Sequence, residues 1–383
     1  MTPFDGALLD RLMEEAGIDV LLACSKHNIQ YLLGGYRFFF FEHMDAMGLS
    51  RYLPLLIYPK RAPDKASYIG AGLESHMREV WPFWVPELQT NCSGTQDAVE
   101  HAVRRIRRLG LEAGRIGIEA PFLPADAYES LRRALPNLEI RDAVVVLERL
   151  RARKTPEELD KLRLASERVV DSMLAVMASH GPGATKRELV EALRREEVNR
   201  GLTFDYCLIT AGTSLNRAPS DAPWREGDTL SLDSGGNYHG YLGDVCRMAM
   251  LGEPDGELQD LLGEVAMVQQ AAMEAAQSGA PGARIYSAAD SVLARSSQRE
   301  HTRFVAHGMG LISHEAPHLE RNAGDGYVLE PGMVISIETT MQHPRRGFIK
   351  LEDTVAVSEH GPEMLGASGR GWNRGNLNPD RRK

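Results

Sequence analysis

The chain has 383 residues, 43% of them hydrophobic and 25% charged, which is enough for two domains with their own cores and excludes wholesale disorder or a fibrous repeat. Its 44 basic and 53 acidic residues give a formal charge of −9, so no basic excess is present to neutralise phosphates, and nucleic acid is not an expected partner. No apolar run approaches the ~20 residues that a membrane-spanning helix needs.

The N-terminus lacks the cationic start and apolar stretch of a signal peptide. Cys24, Cys92, Cys207 and Cys246 are too scattered for a disulfide framework and form no CxxC pair. A cytoplasmic protein without membrane contact is expected. In chain order, residues 4–16 place Leu8, Leu9, Leu12 and Met13 at helical spacing, and the apolar run from Ile18 to Cys24 follows as a strand. The alternation repeats with a helix over 95–109, a strand over 116–118, a helix over 125–135, and a strand or helix start at 143–148. This is the pattern of an α/β domain.

At 149–158 a basic run gives way to Thr155-Pro156-Glu157-Glu158, with Thr155 placed to cap a helix and Pro156 at its first position, which marks a domain boundary. Two amphipathic helices over 159–179 and 185–200, the second introduced by Gly181-Pro182-Gly183, lead into a strand-rich stretch over 204–251. Helices at about 257–278 and 283–299 precede short strands over 304–357, and the polar tail from 369 is expected to be loosely held.

Potential metal ligands are densest in the second half. Asp233 and, eleven positions later, Asp244 interrupt strand-like sequence, where an unpaired carboxylate is expensive to bury. A turn at Gly235-Gly236-Asn237 would fold the flanking strands into a hairpin and bring the two acids together, and adjacent carboxylates call for a cation between them. His307 follows in His307-Gly308-Met309-Gly310, then His314-Glu315, then Glu338 closing the apolar run after Pro331-Gly332-Met333, and Glu352 in Ile349-Lys350-Leu351-Glu352-Asp353. Four carboxylates and one imidazole suit Mn²⁺, Co²⁺, Fe²⁺ or Zn²⁺. The aromatic run Phe38 to Phe41 reads as core or as a subunit contact.

The order of these residues and their flanks resembles the pita-bread metallopeptidases: aminopeptidase P, prolidase and their relatives. His27-Asn28-Ile29-Gln30-Tyr31-Leu32 is similar to a segment of the creatinase-type N-terminal domain, and Lys154-Thr155-Pro156-Glu157-Glu158 to the start of the catalytic domain. The resemblance implies an α+β chain: a creatinase-like domain over 1–153, a pita-bread catalytic domain over 154–366 whose helices wrap a curved, mostly antiparallel sheet, and a polar tail over 367–383. It implies two divalent metal ions, manganese first with cobalt, zinc or iron as alternatives. Asp233 and Asp244 would hold one ion, His307 and Glu338 the other, and Asp244 and Glu352 would bridge. By the same resemblance Glu338 handles the proton of a bridging water, and His314 contacts the substrate carbonyl or the tetrahedral intermediate. A homodimer is implied, with one subunit's N-terminal domain bordering the other's site and Phe38 to Phe41 as candidate contact. The implied reaction is hydrolysis of a Xaa-Pro bond or a dipeptide, with a small peptide or other small molecule as substrate.

Three positions depart from the family pattern. Asn216 stands where a histidine usually binds substrate and assists the leaving nitrogen, and an amide cannot shuttle a proton. Thr339-Thr340 follow Glu338 where Pro-Gly is common. Lys350 stands where an arginine often precedes the Glu-Asp pair, keeping the charge without the bidentate fork. Asn216 is counted as a candidate catalytic residue, and it keeps open an alternative: a non-peptidase relative that hydrolyses a C–N bond of a small metabolite, or a lyase.

Overall fold

The computed structural model describes residues 2–44, 51–321 and 327–377. The chain divides into two compact units, Met1–Arg151 and Ala152–Lys383. The first contains α1 (Gly6–Glu15), β1 (Val20–Ala23), α2 (Lys26–Leu32), β2 (Leu55–Pro59), β3 (Ser67–Ala71), β4 (Glu87–Cys92), α3 (Thr95–Arg108), β5 (Arg115–Ile118), α4 (Ala125–Ala134), β6 (Glu139–Asp142) and α5 (Val144–Arg151). Its strands form a six-stranded mixed sheet in the order β4-β3-β2-β1-β5-β6. Both faces are covered. Leu21 and Ala23 pack with Leu9, Leu12 and Met13 of α1 on one side, and Val20 and Leu22 with Ala98, Ala102 and Ile106 of α3 on the other. A strand covered twice must be apolar along its whole length, which accounts for the uninterrupted run in β1.

At the N-terminus of α2 the buried Glu119 carboxylate accepts from Cys24 N at 2.5 Å, Ser25 N at 2.9 Å and Asn28 Nδ2 at 2.6 Å. This ties the His27–Leu32 segment to the strand end at β5. The aromatic run faces mainly inward: Phe38 and Phe41 are 5% and 4% exposed, against 59% for Phe39. As a surface for a partner the run reduces to Phe39 and the half-buried Phe40. The ambiguous stretch at 143–148 is helical, as the start of α5.

The second unit contains α6 (Pro156–Ser179), α7 (Lys186–Asn199), β7 (Thr203–Ala211), β8 (Thr229–Tyr238), β9 (Tyr241–Met250), α8 (Gly256–Ala275), α9 (Ala283–Leu293), β10 (Thr302–Gly308), β11 (Val334–His343), β12 (Gly347–Ser358), β13 (Gly361–Leu365) and β14 (Asn373–Arg374). The sheet runs β10-β11-β12-β9-β8-β7, with β13 on β12 and β14 on β9. Along β8 and β9 the side chains alternate. Leu230, Leu232 and Val245 pack against Val169, Val170 and Met173 of α6, which places Asp233 and Asp244 on the opposite face. Thr155 and Glu158 form the capping box that starts α6, with Pro156 in the first turn. The helix lies close on β9 because position 243 is glycine: a Cβ there would sit 2.6 Å from the Ser166 backbone nitrogen.

Two expectations need correction. The β8–β9 hairpin turns at His239-Gly240, whose φ angles of 50° and 96° are those of a type I′ turn. Gly235, Gly236 and Asn237 lie within β8, paired to Asp244, Gly243 and Leu242. The flexibility of glycine suggested a turn, but the pairing runs through all three residues and ends one rung later at Tyr238↔Tyr241. The tail is also more tightly held than its polarity suggests. Asn373 and Arg374 run parallel to Ala249 and Met250, and Asn373 Nδ2 donates to Met248 O at 2.9 Å; residues 378–383 lie outside the described residues.

The sheet is built from two antiparallel blocks. β11 and β12 are matched along all of β11, from Val334↔Ala356 to His343↔Gly347, whereas β12 meets β9 at a single paired position, Glu352↔Cys246. Arg247 spans this join, donating from Nη1 to Glu352 O at 2.8 Å and pairing through Nη2 with Asp353 Oδ1 at 2.9 Å. Arg247 and Asp353 are both fully buried.

Behind β8, the buried Glu197 of α7 lies 2.9 Å from Ser234 Oγ, which is 2.6 Å from Tyr206 O. The serine has one proton, and with the Tyr206 carbonyl accepting it, a protonated Glu197 completes the chain by donating to the hydroxyl. Burial pushes the Glu197 carboxyl up to about 8. The unfolded chain gives up this proton near the ordinary carboxylate value and the native state holds it to about 8, so stability falls as pH rises across that window. Glu197→Gln, which mimics the neutral acid, should remove this loss. Urea midpoints of wild type and variant should be close at about pH 5 and diverge in favour of the variant by about 2–4 kcal/mol at about pH 8.

Candidate metal centre

Register across the sheet sets the geometry of the site. In an antiparallel pair, residues directly opposite one another project to the same face. Asp233 lies opposite Cys246, Cys246 opposite Glu352, and Glu352 opposite Glu338. Asp244 and Lys350 are each two residues from this row along their own strands, and His307 lies opposite Ser336, two residues from Glu338. All five expected ligands therefore share one face of one sheet. Asp233, Asp244, His307 and Glu352 are buried, and Glu338 is half-buried.

The carboxylates are oriented by neutral donors. Asp244 accepts from the Tyr206 hydroxyl at 2.5 Å on Oδ1 and from Ser313 Oγ at 3.1 Å on Oδ2. Glu352 Oε1 accepts from Ser336 Oγ at 2.9 Å. The Tyr206 ring can lie over the sheet here because it pairs with Gly235: a Cβ at that position would sit 2.3 Å from the ring. Among the described residues, Asp244, His307 and Glu352 form a group whose donor atoms all lie within 4.8 Å of one another, the spacing of ligands around a single ion.

The electrostatics show the strain of collecting these acids. Burial, reinforced by the charges of Glu352 and Asp233, pushes the Asp244 carboxyl well above its ordinary range. Burial also lifts Asp233, to about 6, against the pull of Lys350. For Glu352 burial acts in the same upward sense, but Lys350 and its hydrogen bond outweigh it and the group falls below the usual value. Uncompensated charge of this kind attracts a cation.

Two cationic side chains already lie among these acids. Lys350 Nζ sits 2.7 Å from Asp233 Oδ2, 2.5 Å from Glu338 Oε2 and 2.8 Å from Glu352 Oε2. Arg217 Nη2 also bonds Asp233 Oδ2, with its guanidinium over the Phe348 ring at 5.1 Å from the centroid. The loop that carries Asn216 thus delivers its neighbour, Arg217, to the acids. Asn216 itself is exposed, its Oδ1 accepting from Ala218 N at 2.8 Å and its carbonyl from Lys186 Nζ at 2.7 Å. His314 stacks on His307 with ring centroids 3.8 Å apart and lies 2.8 Å from Ser313 Oγ through Nδ1.

Tyr206, Arg217, Ser313 and Ser336 were not anticipated. Ser336 carries a readable signal, two residues before Glu338 on the same strand and hence on the same face. Tyr206 and Ser313 reach Asp244 from other segments and become visible only once the chain is folded.

The model of the creatinase/prolidase N-terminal domain matches residues 7–153, and the model of metallopeptidase family M24 matches residues 160–359. The probable dipeptidase PepE of Mycobacterium tuberculosis is 33% identical over 225 residues, which is 57% of this chain and 60% of that protein, so the aligned part spans less than two thirds of the relative's length. The Xaa-Pro dipeptidase of Pyrococcus furiosus is 29% identical over 256 residues, 65% of this chain and 73% of that one. The solved Xaa-Pro dipeptidase from Bacillus anthracis superposes with a TM-score of 0.81 over 96% of this chain and 98% of its own, at 21% identity, a likeness of fold. A family model spanning more than half of the sequence, on a pita-bread unit preceded by a creatinase-like one, places this chain in metallopeptidase family M24.

Proposed function

We propose that the protein is a metal-dependent hydrolase of dipeptides or of the Xaa-Pro bond in small peptides. The observation that carries this reading is the buried Asp244–His307–Glu352 group on the sheet face of an M24 chain. Relatives named as dipeptidases support the substrate class. The donor chemistry fits a divalent ion: two carboxylates and an imidazole with compatible spacing, where manganese is the first choice. A bound ion of this type supplies Lewis-acid polarisation of the scissile carbonyl and acidifies a water.

The chain's own residues supply the remaining functions. Glu338, the least buried acid of the row, is placed to accept and return a proton at its carboxylate. Burial and the neighbouring His307 lower the pKa of His314, leaving it a neutral imidazole near pH 7, able to donate a hydrogen bond to a carbonyl oxygen. Tyr206 and Ser313 fix both oxygens of Asp244, so the ligand is oriented before an ion arrives. Asn216 holds its own loop, and a leaving nitrogen must draw its proton from His314 or from water. The reading includes a homodimer with Phe39 on its contact face, and a cytoplasmic setting in keeping with four buried free thiols.

With Mn²⁺ present, a panel of Xaa-Pro and other dipeptides should contain efficient substrates, and His307→Ala should reduce turnover by at least ~10²-fold. Silence across the panel with Mn²⁺, Co²⁺ and Zn²⁺ would remove the peptidase reading. Asn216→His should leave Xaa-Pro turnover unchanged or raise it; a marked fall would show a pocket shaped around the amide. Tyr206→Phe should weaken ion binding by ~10-fold or more while leaving the thermal midpoint of the metal-free protein nearly unchanged, as calorimetric titration and a melting curve would report.

A further inference from the structure

We infer that this centre takes one divalent ion, held by Asp244, His307 and Glu352, and that the Lys350 ammonium permanently occupies the position of a second. The inference rests on the reading of the site as a metal centre and departs from the two ions that the family resemblance implies.

Three observations carry it. One oxygen from each of three acids lies against the ammonium, since Asp233 Oδ2, Glu338 Oε2 and Glu352 Oε2 converge on Lys350 Nζ at 2.7, 2.5 and 2.8 Å. The ammonium donates its hydrogen bond to Asp233 Oδ2, and the Glu338 and Glu352 oxygens are drawn up beside it by charge, as they would be to an ion. The lysine side chain is 4% exposed and sits on β12 two residues before Glu352, so strand geometry directs it into the same face as the acids.

Charge points the same way. Asp233, Asp244, Glu338 and Glu352 bring four negative charges. Lys350 and Arg217, bonded to Asp233, bring two positive ones. The residual charge of minus two is cancelled by one divalent ion, whereas a second would leave a buried excess of positive charge. Asp233 is also the acid least available to a metal, because both cationic side chains share its Oδ2 atom. The grouping of donor atoms agrees: Asp244, His307 and Glu352 lie mutually within 4.8 Å, and neither Asp233 nor Glu338 belongs to that group. Glu352 faces both positions, its Oε2 near the ammonium, and so links the ion to the lysine.

The test counts ions. Full-length protein, stripped with chelator and titrated with Mn²⁺, should bind one ion per chain by calorimetry and elemental analysis. Its electron paramagnetic resonance spectrum should show the six lines of isolated Mn²⁺. Lys350→Met, which keeps the stem and removes the charge, should take up a second ion and develop an exchange-coupled spectrum. Two ions per chain in the wild type, with a coupled spectrum, overturn the inference and leave the metallohydrolase reading intact. A folded Lys350→Met that still binds one ion overturns the role given to the ammonium. No bound ion in the wild type overturns both readings. If the variant fails to fold, the wild-type stoichiometry and spectrum decide alone.

Discussion

Four carboxylates gathered on one face of a sheet, three of them buried, repel one another, and much of the second unit is the means by which that repulsion is contained. Neutral donors from Tyr206, Ser313 and Ser336 hold individual oxygens. Lys350 and Arg217 place positive charge between the acids. The opposite face of the same strands is strongly apolar, with Leu230, Leu232 and Val245 packed under α6. Burial against the helix fixes which way the strands face, and period-two alternation then turns the acids to the other side. Hydrophobic packing thereby supplies the rigidity that holds mutually repelling groups together.

Two glycines show how closely backbone and site are adjusted. At Gly243 the missing side chain lets the backbone of α6 rest on β9, and at Gly235 it lets the Tyr206 ring rest over β8 within reach of Asp244. The first close approach supports the strand from behind, and the second orients the Asp244 carboxylate from the front. Both positions lie in regular strand, where conformational freedom is not the issue and space alone accounts for the residue.

Much of this was legible in the sequence because strands impose a strict alternation. The acids at 233, 244, 338 and 352 stand out against apolar flanks, and the capping signature at Thr155 to Glu158 is entirely local. The features that escaped depend on register or on distant segments. Gly235-Gly236-Asn237 resembles a turn in isolation, yet His239 and Gly240 take the positive φ angles. Arg217, rather than Asn216, reaches the acids because the asparagine side chain bonds within its own loop. The lysine at 350 could be seen as a departure from its family, but its convergence on three acids required the pairing of β12 with β11 and β9.

The single paired position between the two blocks of the sheet has a further consequence. Asp233 and Asp244 belong to the block of β7, β8 and β9, whereas His307, Glu338 and Glu352 belong to the other, and the blocks join at Cys246 and Glu352. Neither block carries a complete binding site. During folding the Asp244–His307–Glu352 group is therefore complete only when the two blocks dock. An ion held by that group would bridge the two blocks at the line where β12 meets β9 through a single paired position.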